Sequence, residues 1–224
     1  MQYLHPEVWS QVSNYLSAED LGILCSSNRS ICRHILNGTT RLFYTGPVTR
    51  LFQAFPNLNT LICLHLRHGV NVLLLPNTLT VLSLPQDKML TDGDLCNLPP
   101  YLTSLNLQDN SNITDDGVSH PRSLTYLNLR SNEQITDAGL RYLPRDLTYL
   151  NLSYNRNVTD AGVAYFPRSL TYLSYNSNIT DAGVAYFPRS LTFLDLWYNR
   201  NITDLGVPHF PRSNMLRNIF ELML

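Results

Sequence analysis

Leucines in this chain come in alternating pairs, and the pairs return at a fixed interval. LTSLNLQDN, LTYLNLRSN and LTYLNLSYN each place apolar side chains at every second residue, the period of a strand with one buried face. Each is followed by a polar turn, then ITD or VTD, a short apolar stretch such as AGVAYF, and a proline before the next leucine. The pattern predicts one short strand and one short helix per unit. Thr136 or Thr159 caps the helix, Asp137 or Asp160 favours the positive end of its dipole, and Pro144, Pro167, Pro188 and Pro211 stop it.

The units open at Leu79, Leu102, Leu124, Leu147, Leu170 and Leu191, spaced by 23, 22, 23, 23 and 21 residues. A period of this length marks a solenoid, in which each unit buries its apolar face only against its neighbours. The thirteen residues TDAGVAYFPRSLT occur twice, from Thr159 and from Thr180, as one helix, its return loop and the start of a strand. Upstream, LNTLICLHLRHGVNVLLLPNT keeps the leucines but loses the register, and TRLFQAFPN reads as a degenerate further unit.

Inward leucines, such as Leu127 with Leu129 and Leu150 with Leu152, are expected to stack from coil to coil. Asn110, Asn132, Asn155 and Asn199 close the strands where the chain turns inward. An amide there both accepts from and donates to the backbone of adjacent turns, which makes a structural ladder. Asp87 holds the place in the Leu79 unit, so the ladder starts weakly there. The unit at Leu170, LTYLSYNSNIT, is two residues short. A loop deletion puts Tyr175 inward and Asn178 on the ladder, whereas a strand deletion puts Asn176 there. The loop deletion is preferred, because a loop shortens more easily than a paired strand.

The in-phase LTxLxLxxN and ITDxG pattern resembles the leucine-rich repeat. The resemblance implies an α/β fold, a right-handed solenoid with short parallel strands on a concave face and short helices on the convex one.

Side chains alternating with the leucines point outward on the strand face. One column reads Ser104, Tyr126, Tyr149, Tyr172 and Phe193; the next reads Asn106, Asn128, Asn151, Ser174 and Asp195, flanked by Arg130, Tyr154, Trp197 and Tyr198. Aromatics beside amides suit a protein-binding surface, although duplication and ring stacking also account for a tyrosine column. The candidate partner-binding residues are Tyr126, Arg130, Tyr149, Asn151, Tyr172, Phe193, Asp195 and Trp197. Arg122, Arg145, Arg168, Arg189 and Arg212 recur in the return loops and are expected to pair with aspartates of the same or adjacent coils.

Composition narrows the chemistry. A formal net charge of -1 over 224 residues gives no electrostatic case for nucleic acid. No apolar run reaches the roughly 20 residues of a membrane span, and MQYLHPEVW lacks the features of a signal peptide, so a cytoplasmic location is expected. Cys25, Cys32, Cys63 and Cys96 form no CxxC pair and read as buried thiols. Asn112, Asn157, Asn178 and Asn201 each begin an Asn-x-Thr triplet. Their common place in the repeat argues for a shared structural need instead of sugars. No nucleophile with a base, phosphate loop or metal spacing is present, and His65 and His68 lack a further ligand. No catalytic residue, metal or cofactor is expected.

Residues 1–38 lack the repeat. Val8, Val12, Tyr15 and Leu16 recur at helical spacing, and SAED caps a second helix through Leu21, Leu24 and Cys25. Leu4, Glu7, Val8, Val12, Tyr15, Leu16, Asp20 and Leu21 hold the places of an F-box, which this segment resembles. His5 stands where the family usually has Pro, Ser27 replaces a usual Val and Ile31 a usual Trp. The resemblance implies docking on a Skp-type adaptor of a cullin ubiquitin ligase through Leu4, Pro6, Val8, Val12, Leu16 and Leu21. The other reading of these helices is a cap over the first solenoid edge.

The expected organisation is an F-box-like segment (1–38), degenerate repeats (39–78), regular repeats (79–213) and a C-terminal cap (214–224). Two functions fit. One is the substrate-recognition subunit of a Skp-cullin-F-box ligase, monomeric outside its complex and holding a protein substrate on the strand face. If the chain comes from an intracellular parasite, symbiont or virus, the compartment is the host cytosol. The alternative is a stand-alone scaffold or inhibitor.

Overall fold

Alternation of buried and outward side chains, repeated in phase, builds one parallel sheet. The computed structural model describes residues 41–44, 55–63, 69–175, 178–196 and 199–210. Strands β1 (Arg41–Tyr44), β2 (Thr60–Cys63), β3 (Val81–Ser83), β4 (Ser104–Asn106), β5 (Tyr126–Asn128), β6 (Tyr149–Asn151), β7 (Tyr172–Ser174) and β8 (Phe193–Asp195) pair in chain order. Register aligns Leu61, Leu82, Leu105, Leu127, Leu150, Leu173 and Leu194 in a single file. The strand of the divergent LNTLIC unit pairs in the same register as those of the regular coils. Helices α1 (Asp92–Leu95), α2 (Asp115–Val118), α3 (Asp137–Leu140), α4 (Asp160–Val163) and α5 (Asp181–Val184) are single turns between successive strands.

The core runs along the solenoid axis. Leu127, Leu129, Leu150 and Leu152 from the strands, Ile135 and Val158 from ITD and VTD, and Leu140 and Val163 from the helices are all buried. One turn of helix cannot stand alone in water, so its formation depends on this packing and on its cap. The Thr136 hydroxyl accepts from Ala138 N–H at 3.2 Å, and Thr159 accepts from Ala161 N–H at 3.3 Å.

Polar stitches fix each coil to the next. Thr125 donates its N–H (2.8 Å) and its hydroxyl (3.2 Å) to the Thr103 carbonyl, and Thr148 repeats both bonds to Thr125. Thr159 N–H and hydroxyl bond the two carboxylate oxygens of Asp137, each at 2.7 Å. The same pairing joins Asp92 to Thr114, Asp115 to Thr136, Asp160 to Thr180 and Asp181 to Thr203. This assigns the motif glycines a purpose. A Cβ at Gly117, Gly139, Gly162, Gly183 or Gly206 would run into the aspartate carboxylate of the preceding coil.

The asparagine ladder lies under the strand exits. Asn132 donates to the Leu107 carbonyl at 2.9 Å and accepts from Asn110 N–H at 3.1 Å, while Asn110 and Asn155 donate to the carbonyls of Leu84 and Leu129. Asp87 fills the first rung as a buried acceptor from Val70 N–H at 2.9 Å. In the short coil Tyr175 points inward, fully buried, with Phe166 edge-on to its ring at 6.2 Å.

Asn178 is not a ladder residue. It is exposed and donates to the Arg156 carbonyl at 3.1 Å, as Asn112 does to Lys88 and Asn157 to Glu133. Asn178 therefore occupies the outer-loop place that Asn112 and Asn157 hold in their coils. The rung at Asn199 is bonded differently. The Asn199 oxygen accepts from Asn201 N–H at 2.9 Å, and its buried amide nitrogen finds no partner among the described residues.

A candidate protein-binding face

Outward positions of β5 to β8 carry the aromatic column. Register pairs Tyr126 with Tyr149, Tyr149 with Tyr172 and Tyr172 with Phe193. Their rings stack at centroid separations of 4.1, 4.2 and 4.3 Å, with interplanar angles of 14°, 12° and 1°. The spacing follows the distance between neighbouring strands, about 4.8 Å. Each inner ring has both faces covered by neighbours, so the column presents ring edges and hydroxyls to a partner. Tyr126 ends the stack beside Ser104, its smaller register partner on β4.

Burial, with Tyr149 alongside, pushes the Tyr126 hydroxyl up to about 12. Tyr172 is raised as well, by burial first and then by Tyr149 and the Asp195 carboxylate. Both are neutral donors at physiological pH.

The polar column beside the rings is partly committed to the fold. The Asn128 oxygen accepts from Arg130 N–H at 3.0 Å, and the Asn151 oxygen from Ser153 N–H at 2.9 Å, so each amide shapes its own strand exit. Ser153 and Ser174 share a hydroxyl contact at 2.8 Å, and Ser174 donates to Asp195 at 3.3 Å. The Arg130 guanidinium lies 4.6 Å over the Tyr154 ring. Tyr154 is exposed and holds a left-handed φ of 64°, as Gln86, Asp109 and Ser131 do at the same place in their coils. Among sequence-chosen residues, Tyr126, Arg130, Tyr149, Asn151, Tyr172, Phe193 and Asp195 share this face. Trp197 lies outside the described residues, as do Leu4, Pro6, Val8, Val12, Leu16 and Leu21, together with His65 and His68.

Two further expectations fail. Cys63 is buried, which pushes its thiol up to about 12, but Cys96 is exposed on the surface after α1, where no core closes over it. Arg122, Arg145, Arg168 and Arg189 are exposed, and among the described residues they make no ion pair with the periodic aspartates. The physical reason is that Asp92, Asp115, Asp137, Asp160 and Asp181 are engaged by threonines of the following coils.

Among the described residues no group of His, Cys, Asp or Glu could hold a metal ion, and no helix is long and apolar enough to cross a membrane. The Leucine Rich repeat family model matches residues 99–119, 120–143 and 144–166. The fold is a leucine-rich repeat solenoid. A crystal structure of an internalin from Listeria monocytogenes is 22% identical with a TM-score of 0.61, covering 89% of this chain and 68% of that one. A chain in the complex of Rad7 and Elc1 from yeast is 18% identical with a TM-score of 0.65, covering 95% and 65%. The leucine-rich repeat protein LegL7 from Legionella pneumophila is 20% identical with a TM-score of 0.51, covering 73% and 67%. At these identities the likeness is one of fold, and the chain spans about two thirds of each of these structures. No curated protein sequence matches the chain, and neither the family match nor the structures indicate a catalytic family.

Proposed function

We propose that the leucine-rich repeat solenoid is a non-catalytic interaction scaffold that holds a protein on its strand face, and that it serves as the substrate-recognition subunit of a Skp-cullin-F-box type ubiquitin ligase. The observation that carries the first part is the Tyr126–Tyr149–Tyr172–Phe193 stack beside Arg130 and Asp195. A stacked row is already ordered, so a partner docking on it loses little further side-chain freedom, and tyrosine and arginine supply much of the energy of protein interfaces.

Support for the second part is the order of the chain, an F-box-like stretch followed by repeats. The Rad7 and Elc1 structure adds a chain of like fold found in a complex. In this reading Leu4, Pro6, Val8, Val12, Leu16 and Leu21 meet a Skp-type adaptor, and the protein works in the cytoplasm as a monomer outside its complex. The intact chain should co-precipitate with the adaptor and lose it on Leu4→Ala with Pro6→Ala. Failure of the intact chain to co-precipitate would leave the stand-alone scaffold.

A further inference from the structure

The return-loop edge, away from the strand face, carries a second organised surface. Arg145 and Arg168 hold equivalent places in consecutive loops, and serine clamps fix those loops. The Ser169 hydroxyl shares its one proton between the carbonyls of Arg145 and Leu147, both at 2.7 Å; Ser190 sits in the same way between Arg168 at 2.6 Å and Leu170 at 2.7 Å. The clamps hold the arginine backbones while leaving their side chains in solvent. Three residues before Arg145, Arg168 and Arg189 stand Tyr142, Tyr165 and Tyr186, exposed by 59, 40 and 62%. Arg141 lies 4.9 Å over the Tyr165 ring, adding a further cation.

Arg122, Arg145, Arg168 and Arg189 thus recur in the return loops, with Arg141 at the end of α3 against Tyr165 and a single interspersed acid, Asp146, in a chain whose formal net charge is -1. Neighbouring strands repeat about every 4.8 Å, and the return loops follow them coil by coil, so the row concentrates like charge along one line of the solenoid. The periodic aspartates that could offset them are bonded to threonines at the helix starts. We propose that this edge docks an acidic, extended protein segment, its carboxylates paired with the arginine row and its side-chain stems laid against the three tyrosines.

Charge complementarity selects an anion, and two observations favour protein over nucleic acid. Arg141 covers Tyr165, which removes a face on which a base would stack. The row is also sparse: three coil steps from Arg122 to Arg189 span only about 14 Å, and Asp146 sits among them. Single-stranded nucleic acid tracks a denser basic groove. Four or five residues of extended peptide, at about 3.3 Å each, match that length.

A fluorescently labelled oligoglutamate peptide titrated with the full chain at low ionic strength tests this by anisotropy. Binding should weaken as salt is added. Arg145→Glu with Arg168→Glu should lower affinity roughly tenfold or more, Asp146→Asn should raise it, and Arg156→Glu, exposed outside the edge, should leave it unchanged. Tyr165→Ala should weaken binding without altering its salt dependence. Circular dichroism of each variant checks that the fold persists, and Arg145→Gln with Arg168→Gln gives a milder pair if charge reversal disturbs it. Absence of oligoglutamate binding, equal affinity in the arginine variants, or tighter binding of oligothymidylate than of oligoglutamate would each overturn the proposal. None of these outcomes depends on the strand face.

Discussion

Asp137 accepts both the N–H and the hydroxyl of Thr159, one coil further on, at 2.7 Å each. That single pair explains three letters of the repeat at once. Threonine caps its own helix and reaches back, aspartate receives it, and glycine two residues after the aspartate leaves room for the carboxylate of the preceding coil.

Removing the acceptor should cost stability that depends on the glycine. Asp137→Ala is expected to destabilise by about 1–2 kcal/mol, as the loss of charge-assisted bonds near the surface. Gly162→Ala should also destabilise, by about 1–3 kcal/mol, because its Cβ meets Asp137, Leu140 and Val158. With Asp137 already truncated, part of that clash is gone, so urea denaturation of the double variant should show less than the sum of the single losses.

Two asparagines that look alike in sequence should differ in consequence. Asn132→Ala breaks a buried rung on both sides and should cost about 1–3 kcal/mol. Asn178→Ala loses one exposed bond to Arg156 and should shift stability by no more than about 0.5 kcal/mol. Equal losses in chemical denaturation would contradict the placement of Asn178 outside the ladder.

Acid should expose the aspartate stitch at the far end of the array. Hydrogen bonds from the Thr203 hydroxyl and backbone hold the Asp181 carboxyl below the usual aspartate value. A depressed folded value means that the contribution is present above the unfolded value, about 3.9, and is lost as pH falls through the folded one. The stability difference between the parent chain and Asp181→Asn should therefore shrink as the pH is lowered below the ordinary aspartate range.

Alkali should act on the ring stack in the opposite sense. With Tyr126 raised from 10.0 to about 12, the folded state keeps a proton that the unfolded chain releases earlier. Stability from this group is complete below pH 10 and declines as pH rises toward 12. Phenolate absorbance should show late titration for Tyr126 by comparison with a Tyr126→Phe variant, and titration at the ordinary value would contradict the buried stack.

Much of this was legible in the sequence because each coil repeats the same local demands. Alternating leucines specify the strands and their inward face, the threonine before each aspartate specifies the cap, and the same alternation specifies the columns of outward residues. What escaped involved bonds between coils. Asp137 was read as a partner of its own helix dipole, although its acceptors face Thr159. Nothing in the letters of Thr125 and Thr148 shows that their hydroxyls join carbonyls of the preceding coils. Asn178 takes the outer-loop place, and because Asn occurs at both that place and the ladder, the letters of the shortened coil do not separate the two. Asn151 lies on the face as expected of a partner-binding residue, and the sequence does not show that its oxygen also holds Ser153 N–H.

The central claim is that the aromatic row on the strand face binds a protein. Its most direct measurement is quantitative affinity capture with the full chain, comparing the parent with Tyr126→Ala, Tyr149→Ala and Tyr172→Ala combined, after denaturation curves confirm that the variant remains folded. The expected result is a protein captured by the parent, lost by the triple variant and retained when Arg145 and Arg168 are changed instead. The same captured proteins, in the same amounts, with and without the three tyrosines would contradict it.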